Sequence, residues 1–170
     1  MNLITFSLMG NLAGMLFDVP FFILNAPFAW GRGRGEKLSK LTGKTGKFWH
    51  VLVKPPFGIS TREAYGALQG RSLTPPRTDV RMLVHSIRKG DPHSLSRLLS
   101  NSLEVALNKR VTTILKIKKS LLAEGALGAL LSGSGSCVFG VFSSKQKAVR
   151  GARRLRRANR TWKVFVASTI

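Results

Sequence analysis

Apolar residues recur every three or four positions at Phe6, Met9, Leu12, Ala13, Leu16 and Phe17. That is the spacing of one helical face, and it predicts a buried to amphipathic helix ending before Asp18. Pro20 forbids its continuation, so the PFFIL run at 20–24 reads as a short buried strand. GRGRGE at 31–36 and the polar LSKLTGKTGK at 38–47 read as loops around a turn, and WHVLVKPP at 49–56 as a second buried strand stopped by Pro55 and Pro56. Ser60 opens a helix through a capping box, with Glu63 three residues after the cap. RSLTPPRTD at 71–79 reads as a polar, Pro-rich linker. Helical patterns follow from about Pro92 to Leu107 and from Arg110 to Glu124, the second stopped by Gly125. Residues 127–131 and 138–142 read as strands on either side of a Gly/Ser stretch. A basic helix covers Lys145 to Ala158, and WKVFVAST closes the chain as a last strand. Helices and strands mixed in this order, without internal repeats, predict an α+β fold: a sheet covered by helices on one face.

The 170 residues fit one domain, or one and a fraction, and 44% hydrophobic content is enough to bury a core. The lone Cys137 excludes an internal disulfide and suits a reducing cytoplasm. His50, His85 and His93 are scattered, so no metal-ligand spacing exists and no protein-held metal is expected. The first thirty residues carry only Asp18 as a charge, but Asp18, Pro20, Asn25 and Pro27 interrupt the apolar run. It falls short of the roughly 20 residues a spanning helix needs, and it lacks the basic leader and cleavage site of a secretory signal. No membrane association is expected. The net charge of +21 changes the picture most. Lys145, Lys147, Arg150, Arg153, Arg154, Arg156, Arg157, Arg160 and Lys163 all follow the last acid, Glu124. Two readings stand: a surface for polyanions such as RNA, or a solvated helix face. No aromatic residues are interleaved to stack on bases.

The stretch from Leu131 to Phe142, LSGSGSCVFGVF, places Ser132, Gly133, Ser134, Gly135 and Ser136 between two apolar runs. Small residues let a phosphate or another loop come close to the backbone. A tight strand-to-strand turn has the same composition, and the Lys that a P-loop carries after its last Gly is missing.

DVPFF (18–22), GRGE (33–36), VLVKPPFGISTREAY (51–65), NSLE (101–104) and GALGALLSGSGSCVFGVF (125–142) occur in that order. Their order and spacing resemble the GHMP kinase superfamily. Within it they are similar to the family that phosphorylates the 2-hydroxyl of 4-CDP-2-C-methyl-D-erythritol in non-mevalonate isoprenoid synthesis. The resemblance covers nearly the whole chain. It implies residues 1–48 as the remnant of an S5-like N-terminal domain and 49–170 as the C-terminal domain, with ATP and Mg²⁺ as cofactors and a cytidyl alcohol as substrate. Phosphoryl transfer rests on positioning and charge neutralisation, with a carboxylate orienting the attacking hydroxyl. The resemblance makes Asp18 that carboxylate; otherwise it is a helix-terminal polar residue. It places Thr61 on the cytidine side of the substrate pocket; otherwise Thr61 is the first helical residue beside the Ser60 cap. It makes Gly133, Ser134, Gly135 and Ser136 the third family motif, supporting the ATP loop rather than gripping phosphate.

The sequence also departs from that family. The chain begins seventeen residues before Asp18, so the substrate motif and Gly-rich ATP loop that precede DVPFF in the family are not in it. The expectation follows that this polypeptide alone has no ATP-dependent activity. Leu16 and Phe17 stand where the family has small residues, and Asn101-Ser102-Leu103-Glu104 has one acid fewer than the family pattern. A basic RNA-binding module built on the 145–163 region and an inactive kinase remnant remain as alternatives.

Overall fold

The computed structural model describes residues 2–4, 26–32, 37–60, 64, 79–101, 103–104 and 110–169. Its elements are β1 (Asn2–Ile4), β2 (Ala29–Arg32), β3 (Lys37–Lys40), β4 (Trp49–Lys54), α1 (Val80–Lys89), α2 (Pro92–Leu98), α3 (Val111–Ala123), β5 (Gly128–Leu131), β6 (Val138–Phe142), α4 (Lys145–Ala158) and β7 (Lys163–Ser168). They form an α+β fold. A three-stranded antiparallel sheet runs β1-β2-β3, and a four-stranded antiparallel sheet runs β5-β6-β4-β7.

The larger sheet carries the main core. Its register places Val51 opposite Gly140 and Val166, and Val53 opposite Val138 and Val164. Directly paired residues share a face, so these valines form one apolar surface. Against it lie Ile114, Ile117 and Leu121 of α3 with Ala148, Ala152 and Leu155 of α4. Small residues bring α4 close: a side chain at Gly151 would meet the Phe142 ring at 3.1 Å. Burying each such Val, Leu or Ile contributes about 1.5–3 kcal/mol. On the opposite face α2 reaches the β5 edge, where a Cβ at Gly128 would lie 3.0 Å from Ser96 Cβ. Helices therefore touch both faces, beyond the one-sided cover expected from the sequence.

Three local expectations are corrected. Residues 80–89, between the 71–79 linker and Pro92, form α1, where the sequence reading places no element. Asp79 caps it by accepting from the Arg81 amide at 2.8 Å and the Met82 amide at 3.4 Å, and Gly90 ends it at φ +67°. Its buried Leu83, Val84 and Ile87 pack with Phe28, Leu41, Phe48 and Leu95 in a second cluster. The helix expected over 92–107 stops at Leu98, where Leu99 turns extended (ψ 132°). Asn101 Oδ1 then accepts from the Leu103 amide at 2.9 Å, a local bond that competes with helix continuation. The polar 37–40 stretch, read as loop, is β3, because pairing with β2 overrides its weak strand propensity. The strands at 49–54 and 138–142 and the helix at 145–158 lie where the pattern puts them.

Candidate active site

Of the residues singled out from the sequence, Asp18 and Thr61 lie outside the described residues, as does Glu63 of the capping box. The Ala64 amide donates to the Ser60 carbonyl at 2.9 Å, the spacing of a helical turn starting at Ser60. Gly133, Ser134, Gly135 and Ser136 are described, and they connect β5 to β6. The tight-turn reading of their geometry holds: the Ser132 amide donates to the Cys137 carbonyl at 2.8 Å, and the Gly135 amide to Ser132 at 3.0 Å. Gly135 has φ +95°, a backbone region that side chains disfavour.

This loop is not laid open to solvent. Ser132, Ser134 and Ser136 are all buried, Ser136 to 1% exposure. Two sets of side chains hold it. On one side the Asn101 amide group donates to the Leu131 carbonyl at 3.0 Å and the Gly133 carbonyl at 2.8 Å. Beside it Glu104 accepts from the Leu131 amide at 2.8 Å and pairs with the Lys118 ammonium at 2.7 Å. On the other side lies the turn after β4. Lys54 Nζ donates to Ser136 Oγ at 3.0 Å, Phe57 O at 2.6 Å and Pro55 O at 3.3 Å. Ser136 Oγ itself donates to the Phe57 carbonyl. A Cβ at Gly135 would lie 3.0 Å from Ile59 Cδ1, so this position leaves little room for a side chain between loop and turn. The turn's outer side is held by Arg110, which donates to the Gly58 carbonyl and stacks 5.2 Å over the Phe57 ring.

The electrostatics follow from this packing. Burial pushes the Cys137 thiol up, opposed by the neighbouring Lys54 ammonium. Among the described residues no group of three His, Cys, Asp or Glu side chains is placed to hold a metal ion. The arrangement joins residues from three stretches far apart in sequence, 54–60, 101–104 and 131–137, into one wall. Asn101, Glu104 and Lys54 were present in the motifs but given no role from sequence. The one hint was a lone lysine closing a valine-rich strand before two prolines.

Comparison with known proteins gives this wall a setting. Residues 83–161 match the family described as GHMP kinases C terminal. The 4-diphosphocytidyl-2-C-methyl-D-erythritol kinase of Pelotomaculum thermopropionicum is 42% identical over 142 residues, covering 84% of this chain and 48% of the relative. The kinase of the same name from Syntrophotalea carbinolica is 40% identical over 153 residues, covering 90% of this chain and 51% of the relative. The chain thus spans about half the length of the curated relatives it matches. Among solved structures, a 4-(cytidine 5'-diphospho)-2C-methyl-D-erythritol kinase superposes with TM-score 0.73 at 27% identity, over 89% of this chain and 52% of that one. A homoserine kinase from Cytophaga hutchinsonii superposes with TM-score 0.63 at 20% identity, over 84% and 48%, a likeness of fold. Residues 83–161 thus belong to the C-terminal family of the GHMP kinases, and most of the chain shares the fold of such a kinase.

Proposed function

We propose that this chain forms the C-terminal part of a kinase that transfers the γ-phosphoryl of ATP, taken as its magnesium complex, to the 2-hydroxyl of 4-CDP-2-C-methyl-D-erythritol. The observation that carries the reading is the locking of the Gly/Ser loop at 132–136 onto the turn that leads to Ser60 and Thr61. The identity of 36–42% to relatives bearing that kinase's name supports it. In this reading Asp18 orients or deprotonates the attacking hydroxyl, Thr61 lines the cytidine side, and Gly133, Ser134, Gly135 and Ser136 support the ATP-binding wall. Positioning carries most of the rate in such a transfer, which is the task such a wall performs. Residues 1–48 would complete the N-terminal domain and 49–170 form the C-terminal one. The reaction belongs to the cytoplasm, and no described helix is long and apolar enough to cross a membrane.

The test is ADP release by the purified protein with ATP, Mg²⁺ and 4-CDP-2-C-methyl-D-erythritol, together with calorimetric binding of that alcohol. The alcohol should bind. Where the protein also carries the Gly-rich loop that wraps the ATP phosphates, ADP release should depend on the alcohol and fall by about 10²-fold or more in Asp18→Asn. A folded protein that neither binds the alcohol nor releases ADP in its presence sinks the reading, as does an Asp18→Asn variant of full activity.

One observation favours a second, weaker property. Beyond Glu104, Glu124 is the only acid in the sequence, and most cations of α4 are exposed. Nonspecific association with polyanions through the Lys145–Lys163 region should accompany the kinase fold. Fluorescence anisotropy with a labelled RNA would then fall steeply with log salt. Binding that ignores salt would argue against it.

A further inference from the structure

We propose that Lys54 is a positioning residue that couples the turn after β4 to the Gly/Ser loop, so that both sides of the candidate site move as one body. The inference rests on the proposed function for what that body binds, but not for the coupling itself.

The argument begins with the donor count. An ammonium has three N–H groups and no acceptor. Lys54 spends all of them: on Phe57 O at 2.6 Å, Ser136 Oγ at 3.0 Å and Pro55 O at 3.3 Å. None remains for a phosphate. Nor does the charge serve an ion pair: among the described residues the carboxylate pairs are Glu104–Lys118 and Glu124–Arg154. A half-buried cation held only by neutral oxygens is an expensive arrangement, and its effect here is geometric. It ties two segments whose bonded residues lie 82 apart in sequence.

The acceptors close the tie into a ring. The Phe57 carbonyl takes both Lys54 Nζ and Ser136 Oγ, using both of its lone pairs. Ser136 in turn accepts from Lys54, so turn, loop and lysine each contact the other two. Ile59 then lies against Gly135. Arg110 fixes the far side of the turn at Gly58 and Phe57. The turn is thereby gripped from both sides immediately before Ser60, the residue that precedes the Thr61 candidate in sequence. Without the ammonium, the Ser136–Phe57 hydrogen bond and the Ile59–Gly135 contact would be left as the links between turn and loop. With that thinner tie, both segments would open more often.

The experiment uses Lys54→Met, which keeps an apolar stem and removes the three donors, with Lys54→Arg as the conservative variant. Amide hydrogen exchange should rise about tenfold or more in Lys54→Met at both 57–60 and 132–137, leaving α4 and β7 unchanged. Lys54→Arg should restore part of the protection. Ser136→Ala, which cuts the same ring at its other end, should loosen the same two segments and serves if Lys54→Met fails to fold. Acceleration confined to 54–60, or no acceleration in either variant, overturns the coupling. Binding of 4-CDP-2-C-methyl-D-erythritol supplies the second arm: Lys54→Met should weaken it about tenfold, with partial recovery in Lys54→Arg. Altered exchange with unchanged affinity would reduce Lys54 to a structural role and overturn the positioning claim. If the unaltered protein binds no cytidyl alcohol, the kinase reading fails, and the exchange arm still decides the coupling.

Discussion

At the scale of single residues, His50 is the group whose chemistry the fold changes most. It lies on β4, on the sheet face away from α3 and α4, with the Phe139 ring edge-on at 5.9 Å and 74°. Its Nδ1 is buried without a hydrogen-bond partner, and burial lowers its pKa from 6.5 to about 4. The unfolded chain therefore takes a proton near pH 6.5, while the native protein refuses it until about pH 4. Stability is lost as pH falls between those values, by on the order of 3 kcal/mol across the window. Urea midpoints at pH 7, 5.5 and 4.5 should fall in that order, and His50→Leu should flatten the trend. A midpoint independent of pH in the unaltered protein would show that the imidazole is solvated. Asp91, at the start of α2, has its carboxyl lowered by hydrogen bonds from the Ser94 side chain and backbone. None of this was legible in the sequence, where His50 is one of three unremarkable histidines. Lys54 and Asn101 were visible as letters of motifs, but the loop groups they hold, Ser136 for Lys54 and the Leu131 and Gly133 carbonyls for Asn101, lie 82 and about 30 residues away, and no local pattern records such distances.

Elements were legible in proportion to the strength of their local signals. α4 has an N-cap serine, Ser144, and a clean apolar stripe at Ala148, Ala152 and Leu155, and its ends were read correctly. β6 is buried at every position and bounded by small residues. The signals for α1 were equally clear, with Val80, Leu83, Val84 and Ile87 in helical phase between Asp79 and Gly90. The sequence reading ends its linker at 79 and resumes at Pro92, assigning no element to the stretch between. β3 could not have been read, since Lys37, Ser39 and Lys40 owe their extended form to the partner strand. The seating of α1 rests on a contact of backbone on backbone. The Gly46 amide donates to the Ile87 carbonyl at 2.8 Å, and a Cβ on Gly46 would fall 2.1 Å from Gly90 Cα. Gly46→Ala should therefore destabilise by about 1–3 kcal/mol or more, read as a lower denaturant midpoint. A stability equal to the parent would mean that α1 can shift away at no cost, and that the cluster of Phe28, Phe48 and Ile87 is loosely packed.

For the whole molecule the dominant fact is charge. A net +21 is set against two ion pairs among the described residues, both partly exposed, and such pairs contribute only about 0–1 kcal/mol each. Self-repulsion should outweigh attraction. Raising NaCl from about 20 to 300 mM shortens the screening length to below about 10 Å, and should raise the melting temperature by about 2–4 °C per kcal/mol of repulsion relieved. Arg153→Glu with Arg157→Glu, both on the exposed face of α4, should reduce that dependence. A melting temperature that falls with salt would reverse the balance argued here. The α+β class and the family resemblance were legible at this scale, because both depend on the order of segments. The order of strands in the sheet was not. β4 takes as its neighbours β6 and β7, and the ends of the sheet are tied where the Phe48 amide meets Thr169 Oγ1 at 2.9 Å and the Thr169 amide meets the Phe48 carbonyl at 3.1 Å. During translation β4 therefore emerges with neither edge paired and with Val51 and Val53 bare. Its edges stay open until first β6 and then β7 have been made, which leaves the nascent chain a natural client for chaperones.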